Sequence, residues 1–127
     1  MKKVLLIVGG VLLVVGIGAW IFISLINDEL KELVKTPIKE VELDNIADGT
    51  YTGSYSAFPV KVSVVVSVKH HVITDIIITH HDNGQGKPAE AIVEDVLAAQ
   101  SLEVDVISGA TYSSKVILLA IADALSP

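Results

Sequence analysis

The 127-residue chain contains no cysteine and no arginine, and aromatic residues make up only 5% of it. The missing cysteine excludes disulfides, thiolate metal sites, a cysteine nucleophile and a lipid anchor carried on an N-terminal cysteine. The missing arginine excludes bidentate guanidinium recognition of phosphate, so a bound phosphate is left to backbone amides, lysine or a covalent bond. Positive charge is scarce: 9 lysines stand against 15 acids, for a net charge of −6. Nucleic acid is excluded as a partner on that balance, because displacing its counterions needs clustered cations. The chain also lacks internal repeats, low-complexity tracts, a Gly-x-Ser-x-Gly nucleophile turn, a His-Glu-x-x-His zinc helix and any carboxylate pair whose spacing singles it out for acid–base work.

Ionisable side chains are absent in one long stretch. From Val4 to Ile26 there are 23 residues without one, 18 of them Ala, Val, Ile, Leu, Phe or Trp. As a helix they span about 34 Å, enough for a hydrocarbon core of about 30 Å with some tilt. Lys2 and Lys3 precede the run and Asn27, Asp28 and Glu29 follow it. The positive-inside rule then predicts a single-pass cell-membrane protein with a cytoplasmic N-terminus and everything after Ile26 on the outer face. A cleaved signal peptide is the rival reading, with Gly16-Ile17-Gly18-Ala19 as the cleavage site, but Trp20 to Ile26 stays apolar beyond it. We therefore read residues 1–26 as a transmembrane anchor held in the bilayer by residues 4–26, with Trp20 as an interfacial residue. The remaining 101 residues carry 7 lysines and all 15 acids, a net −8.

Residues 27–47 are charged, with Leu30, Leu33, Val34 and Ile38 at near-helical spacing. Pro37 should end any helix continuing out of the membrane, since it disfavours helix at Thr36 and has no amide hydrogen. We read this segment as a stalk and 48–127 as one domain. Asp48-Gly49 is turn chemistry opening a strand over Thr50–Tyr55. Val60, Val62, Val64, Val66 and Val68 then alternate with Lys61, Ser63, Val65, Ser67 and Lys69, the pattern of a half-buried antiparallel strand. His70-His71 falls at a hairpin turn before a return strand over Val72–Thr79. Pro88 sits in the first turn of a helix running over Ala89–Gln100, with Ala89, Ile92, Val93, Val96 and Leu97 on its apolar face. A short strand is expected over Val104–Ile107, and a well-buried helix over Ser114–Leu125. The fold class is α+β: a small antiparallel sheet with two packed helices, preceded by one N-terminal transmembrane helix.

Among candidate functional residues, the adjacent pairs His70-His71 and His80-His81 point to opposite faces of an extended chain. Neither pair chelates, so they read as turn and strand-end histidines and no metal site is expected. Asn83-Gly84-Gln85-Gly86-Lys87 lacks Walker spacing and a hydroxyl residue after the lysine. It reads as a loop before a helix N-terminus, a place that favours anions. In Asp105-x-x-Ser108-Gly109-Ala110-Thr111-Tyr112-Ser113-Ser114 small residues surround one hydroxyl just where a helix begins. Unpaired amides and the positive dipole end would stabilise a phosphoryl group on Thr111 there. The plainer reading is that Thr111 or Ser113 is an N-cap.

That segment is similar to the D-x-x-[ST]-G-A-T flavinylation motif of the FMN-binding domain family. The likeness extends to Asp48-Gly49-Thr50-Tyr51-Thr52-Gly53, to the alternating strand pair, to His81–Glu90, to Gln100-Ser101 and to Ser113-Ser114-Lys115, all in family order. It covers about residues 45–125. Ser54–Pro59 departs from the glycine-rich stretch many members have there, so no flavin contact is carried over to it. The resemblance implies FMN held covalently through its phosphate to Thr111, attached by an ApbE-type flavin transferase. It implies that Ser108, Gly109 and Ala110 keep the hydroxyl approachable and that Asp105 binds metal or orients the loop during transfer, its plain alternative being a turn acid. Tyr112 lies against the flavin or, as we favour, packs; Ser113, at the helix start, is counted among the cofactor-binding residues. His81, Asn83, Gly84 and Gly86 line the flavin site or are ordinary loop residues. The protein implied is an extracytosolic electron-transfer carrier working with membrane redox partners, rather than a stand-alone enzyme with catalytic residues of its own. The alternative is a flavin-free anchored module binding a partner or lipid through its acidic outer domain.

Overall fold

The structure is a computed structural model that describes residues 1–82 and 84–126, the side chains of 84–87 excepted. Helix α1 spans Lys2–Lys35. Strands β1 (Gly49–Ala57), β2 (Val60–Lys69) and β3 (Val72–Asp82) follow, then α2 (Ile92–Ala99) and α3 (Thr111–Leu125). Short 3₁₀ segments occupy Leu43–Asn45 and Gly84–Ala91. The sheet is antiparallel in the order β1-β2-β3, so the α+β class with a small sheet holds.

Among the described residues, α1 is one helix long and apolar enough to cross a membrane, and none of its most apolar window is buried against the domain. The helix ends where proline requires: Thr36 is extended ahead of Pro37, and its amide and hydroxyl both donate to the Glu32 carbonyl. Residues 27–47 do not stand clear of the domain. Leu33 is buried, and Leu30, Ile38, Val41, Leu43 and Ile46 pack against the core. The Tyr51 hydroxyl donates to the Ala47 carbonyl at 2.6 Å.

The valine alternation of β2 becomes a one-sided strand. Val60, Val62, Val64, Val66 and Val68 are all buried, while Lys61 and Lys69 are exposed. His70 and His71 form the β2–β3 turn, both at positive φ (53° and 62°), as a two-residue turn matching the strand twist demands. Asp48 Oδ1 accepts the His70 amide at 2.8 Å, and the His71 ring bonds the Leu43 carbonyl at 3.1 Å.

β3 is longer than expected and carries two bulges. The register pairs Ile73 with Val68, Ile76 with Val66, Ile78 with Val64 and His81 with Val62, passing over Thr74 and Thr79. Each bulge threonine donates its hydroxyl to a β2 carbonyl, Thr74 to Ser67 and Thr79 to Ser63, both at 3.2 Å. The bulges move the apolar set of β3 from odd to even positions and back. That second shift puts His81 on the core face and leaves His80 outside.

α3 lies across this core face. Its residues from Ser113 to Ala122, Lys115 aside, are buried, as the near-continuous apolar sequence predicts. It packs on β1 and β2, on the 84–91 segment and on the end of α1. The approach to β1 is closest at Gly53, where a Cβ would overlap the Ala120 carbonyl oxygen and the Ala124 amide nitrogen. Both sheet edges are closed by side chains. Asp123 of α3 accepts the Ser54 amide of β1 at 3.0 Å. Gln100, left-handed at the end of α2 (φ 52°, ψ 36°), clamps β3: its Oε1 accepts the Ile73 amide and its Nε2 donates to the Ile73 and Leu97 carbonyls.

Two expectations are corrected. Val104–Ile107 forms no strand: the β3 edge is already held at Ile73 by Gln100, and an extended segment without a ladder partner stays irregular. The second helix begins at Ile92 rather than Ala89, because Gly84–Ala91 winds as a 3₁₀ segment with Pro88 inside it. Proline supplies no amide there and glycines weaken an α-helical start.

Candidate functional site

The site is built by the turn that delivers Thr111 to the start of α3. The Ala110 amide bonds the Ile107 carbonyl at 2.9 Å, closing a four-residue turn over 107–110. Gly109 has φ +79°, the value required at the third position of a type II turn. A Cβ on Gly109 would meet nothing within 4 Å. The glycine is thus demanded by backbone conformation, not by crowding, and the space beside it is open.

Ser114 fixes the turn to the helix. Its buried hydroxyl donates to the Ala110 carbonyl at 2.7 Å and accepts the Ile107 amide at 3.0 Å, so one oxygen holds both ends of the turn. Ala110 is the N-cap and is itself a core residue, 8% exposed. Neither Thr111 nor Ser113 caps the helix: Ala110 is the N-cap, and among the described residues no side chain bonds the first amides. The simple N-cap reading is therefore set aside. Thr111 and Ser108 are exposed, as is Asp105. Ser113, counted with the site from sequence, is 4% exposed and belongs to the interior. Tyr112, expected to pack, is 42% exposed beside Thr111.

The second cluster lies at the end of β3. The His81 ring is 5% exposed, and its Nδ1 is 3.2 Å from Glu90 Oε1, with Glu90 35% exposed. His81 Nε2 is buried without a hydrogen-bond partner among the described residues. A buried ring nitrogen left so is costly unless a ligand meets it. His80 is instead paired outward with Asp82 at 2.8 Å. Gly84 and Gly86 fall in the 3₁₀ segment against which α3 packs, so the Thr111 helix and the segment tied to His81 are adjoining structures. Asn83 lies outside the described residues. No group of three or more His, Asp or Glu side chains gathers among the described residues.

At the start of α3 an exposed threonine, first-turn amides that no side chain caps among the described residues, and open space at Gly109 form one open site. It suits a phosphate monoester with an attached ring system. Residues 55–126 match the FMN-binding domain. This chain belongs to that family. It is also 32% identical over 105 residues to the NADH:acrylate oxidoreductase of Vibrio harveyi, a match covering 80% of this chain and 10% of that protein. The chain thus spans about a tenth of the length of that relative. The family's cofactor is FMN.

Three contributors were not evident from sequence. Glu90 falls in the helix expected over Ala89–Gln100 but off the apolar face read for it, yet it bonds His81 across the turn of the chain after β3. Ser114 read as an ordinary helix start, and Gln100 as one residue in an ordered series. Nothing in their local sequence announces a turn clamp or an edge clamp.

Proposed function

We propose that this protein is a membrane-anchored electron-transfer flavoprotein that carries FMN as a phosphoester on Thr111, on the outer face of the cell membrane. The observation that carries the reading is exposed Thr111 at a helix start without a side-chain cap, within a chain of the FMN-binding domain family. The bound flavin would supply reversible one- and two-electron chemistry. The chain's own residues attach and orient. Thr111 Oγ forms the ester; the amides of the first turn of α3 and its positive dipole end offset the phosphate charge in place of the absent arginine. Ser114 and Gly109 hold the turn so that the hydroxyl faces outward. Tyr112 offers an exposed ring beside it, and His81, steadied by Glu90, offers a nitrogen to the ring system. Asp105 is exposed where a flavin transferase would engage the motif. α1 tethers the domain beside membrane redox partners, with Lys2 and Lys3 on the cytoplasmic side.

Co-expression with a flavin transferase tests the attachment. The denatured chain should gain the mass of one FMN less one water and fluoresce in a denaturing gel, and Thr111→Ala should lose both signals. A wild-type chain that gains no mass, or a Thr111→Ala chain that keeps it, refutes the assignment. Protease accessibility of residues 27–127 in spheroplasts, but not in inverted vesicles, tests the orientation.

A further inference from the structure

We propose that the β1–β2 turn is a second membrane contact, with Phe58 seated in the outer interfacial layer of the bilayer next to α1. The inference rests on α1 spanning the membrane.

Single exposed apolar side chains are common and need no explanation. Phe58 differs because of what it touches. Its ring meets Phe22 of the apolar run edge-on, with centroids 6.3 Å apart and planes at 71°. Both rings remain about half exposed around that contact, Phe58 at 53% and Phe22 at 55%. They therefore form one continuous apolar surface rather than a closed pair. Phe22 lies four residues before Ile26, the last residue of the run, or roughly 6 Å inside its outer end at the helical rise. The backbone of the turn is held at a different level. The Phe58 amide donates to Glu29 Oε1 at 3.2 Å, and Glu29 is among the first acids after the run. One residue thus has its amide tied to a carboxylate at the water edge and its ring beside a side chain that faces lipid. Trp20, 70% exposed two residues deeper, completes an aromatic set at that end of the helix.

A single transmembrane helix leaves the attached domain free to tilt relative to the bilayer plane. A second contact removes that freedom and determines which end of the sheet faces the lipid. Lys61, next to the turn, pairs in register with Asp82. The end of β3 carrying His80, His81 and Asp82 is then the membrane-facing end.

The test uses the full chain in phosphatidylcholine vesicles. Trp20 is the sole tryptophan, so Phe58→Trp in a Trp20→Phe background reports the turn alone, while the unaltered chain reports α1. Lipids brominated near the headgroup end of their acyl chains should quench both tryptophans, with blue-shifted emission from each and little quenching by aqueous iodide. A turn tryptophan quenched by iodide and untouched by brominated lipid, with Trp20 still lipid-quenched, overturns the turn contact and leaves the anchor standing. A Trp20 that escapes lipid quenching overturns the anchor, and the turn contact with it. Because the chain has no cysteine, a nitroxide on Phe58→Cys gives an independent reading. Greater accessibility to membrane-dissolved oxygen than to an aqueous nickel chelate supports the contact, and the reverse refutes it.

Discussion

Gly53→Ala should destabilise the domain although alanine is the better strand residue. The reason is a backbone-to-backbone approach. A Cβ at position 53 would overlap the Ala120 carbonyl oxygen and the Ala124 amide nitrogen and lie 2.7 Å from Ala124 Cα. Comfortable carbon contacts are about 3.5–4.0 Å, so α3 must retreat by about an ångström. No rotamer relieves the overlap, because every atom concerned is main chain. The helix cannot retreat freely either: Asp123 is bonded to Ser54, and the buried face of α3 fills the space over the β2 valines. Overpacking of this kind costs about 1–3 kcal/mol, and a rigid backbone clash belongs at the upper end. Reduced freedom of the unfolded chain returns about 0.4–1 kcal/mol. The expected net loss is about 2 kcal/mol, or roughly 8–16 °C in Tm for a domain of this size. Thermal unfolding of the full chain in detergent micelles, followed by circular dichroism, measures it. Gly16→Ala serves as control, since a Cβ there meets nothing within 4 Å. An unchanged or raised Tm for Gly53→Ala would show that α3 does not sit on β1 as described.

Other substitutions separate the remaining devices. Ser114→Ala removes the oxygen that bonds Ile107 and Ala110 and should cost about 1–3 kcal/mol in urea unfolding; an unaltered midpoint would mean that the turn holds itself. Gln100→Glu keeps an acceptor for the Ile73 amide but sets a carboxylate against the Ile73 and Leu97 carbonyls. It should cost at least about 2 kcal/mol and speed hydrogen exchange at neighbouring β3 amides, whereas wild-type exchange there would rule out the edge clamp. Gly109→Ala has room for its methyl but not the backbone conformation, so a loss of about 1–2 kcal/mol is expected. A loss well above about 2 kcal/mol would point to crowding instead. His70→Asn suits the positive φ of 53° better and should raise stability by about 0.5 kcal/mol, visible as a small increase in Tm; a decrease would assign the histidine ring a contact that favours it.

Much of this architecture is local chemistry, and the sequence by itself determines it. Twenty-three residues without an ionisable group can only be an apolar helix, and Pro37 stops its continuation because the ring removes a donor and restricts Thr36. The valines of β2 alternate because one face of a sheet is wet and the other dry. The helix over Ser114–Leu125 is legible from its near-continuous apolar run, and the motif before it is contiguous in the chain, although the structure starts α3 three residues earlier, at Thr111, behind the turn set by Gly109. Three-dimensional packing decides the rest, because those features join residues whose separation along the chain carries no period. The second β3 bulge puts His81 on the core face, and the turn of the chain after β3 brings Glu90 to it. The closeness of α3 to Gly53 depends on how a helix settles on a twisted sheet. Gln100 closes the sheet edge beside which Val104–Ile107 was expected as a strand. Propensity and periodicity describe a residue and its neighbours within a turn or a pleat. Register, edge occupancy and helix approach depend on what lies across the core, and only the folded chain sets that.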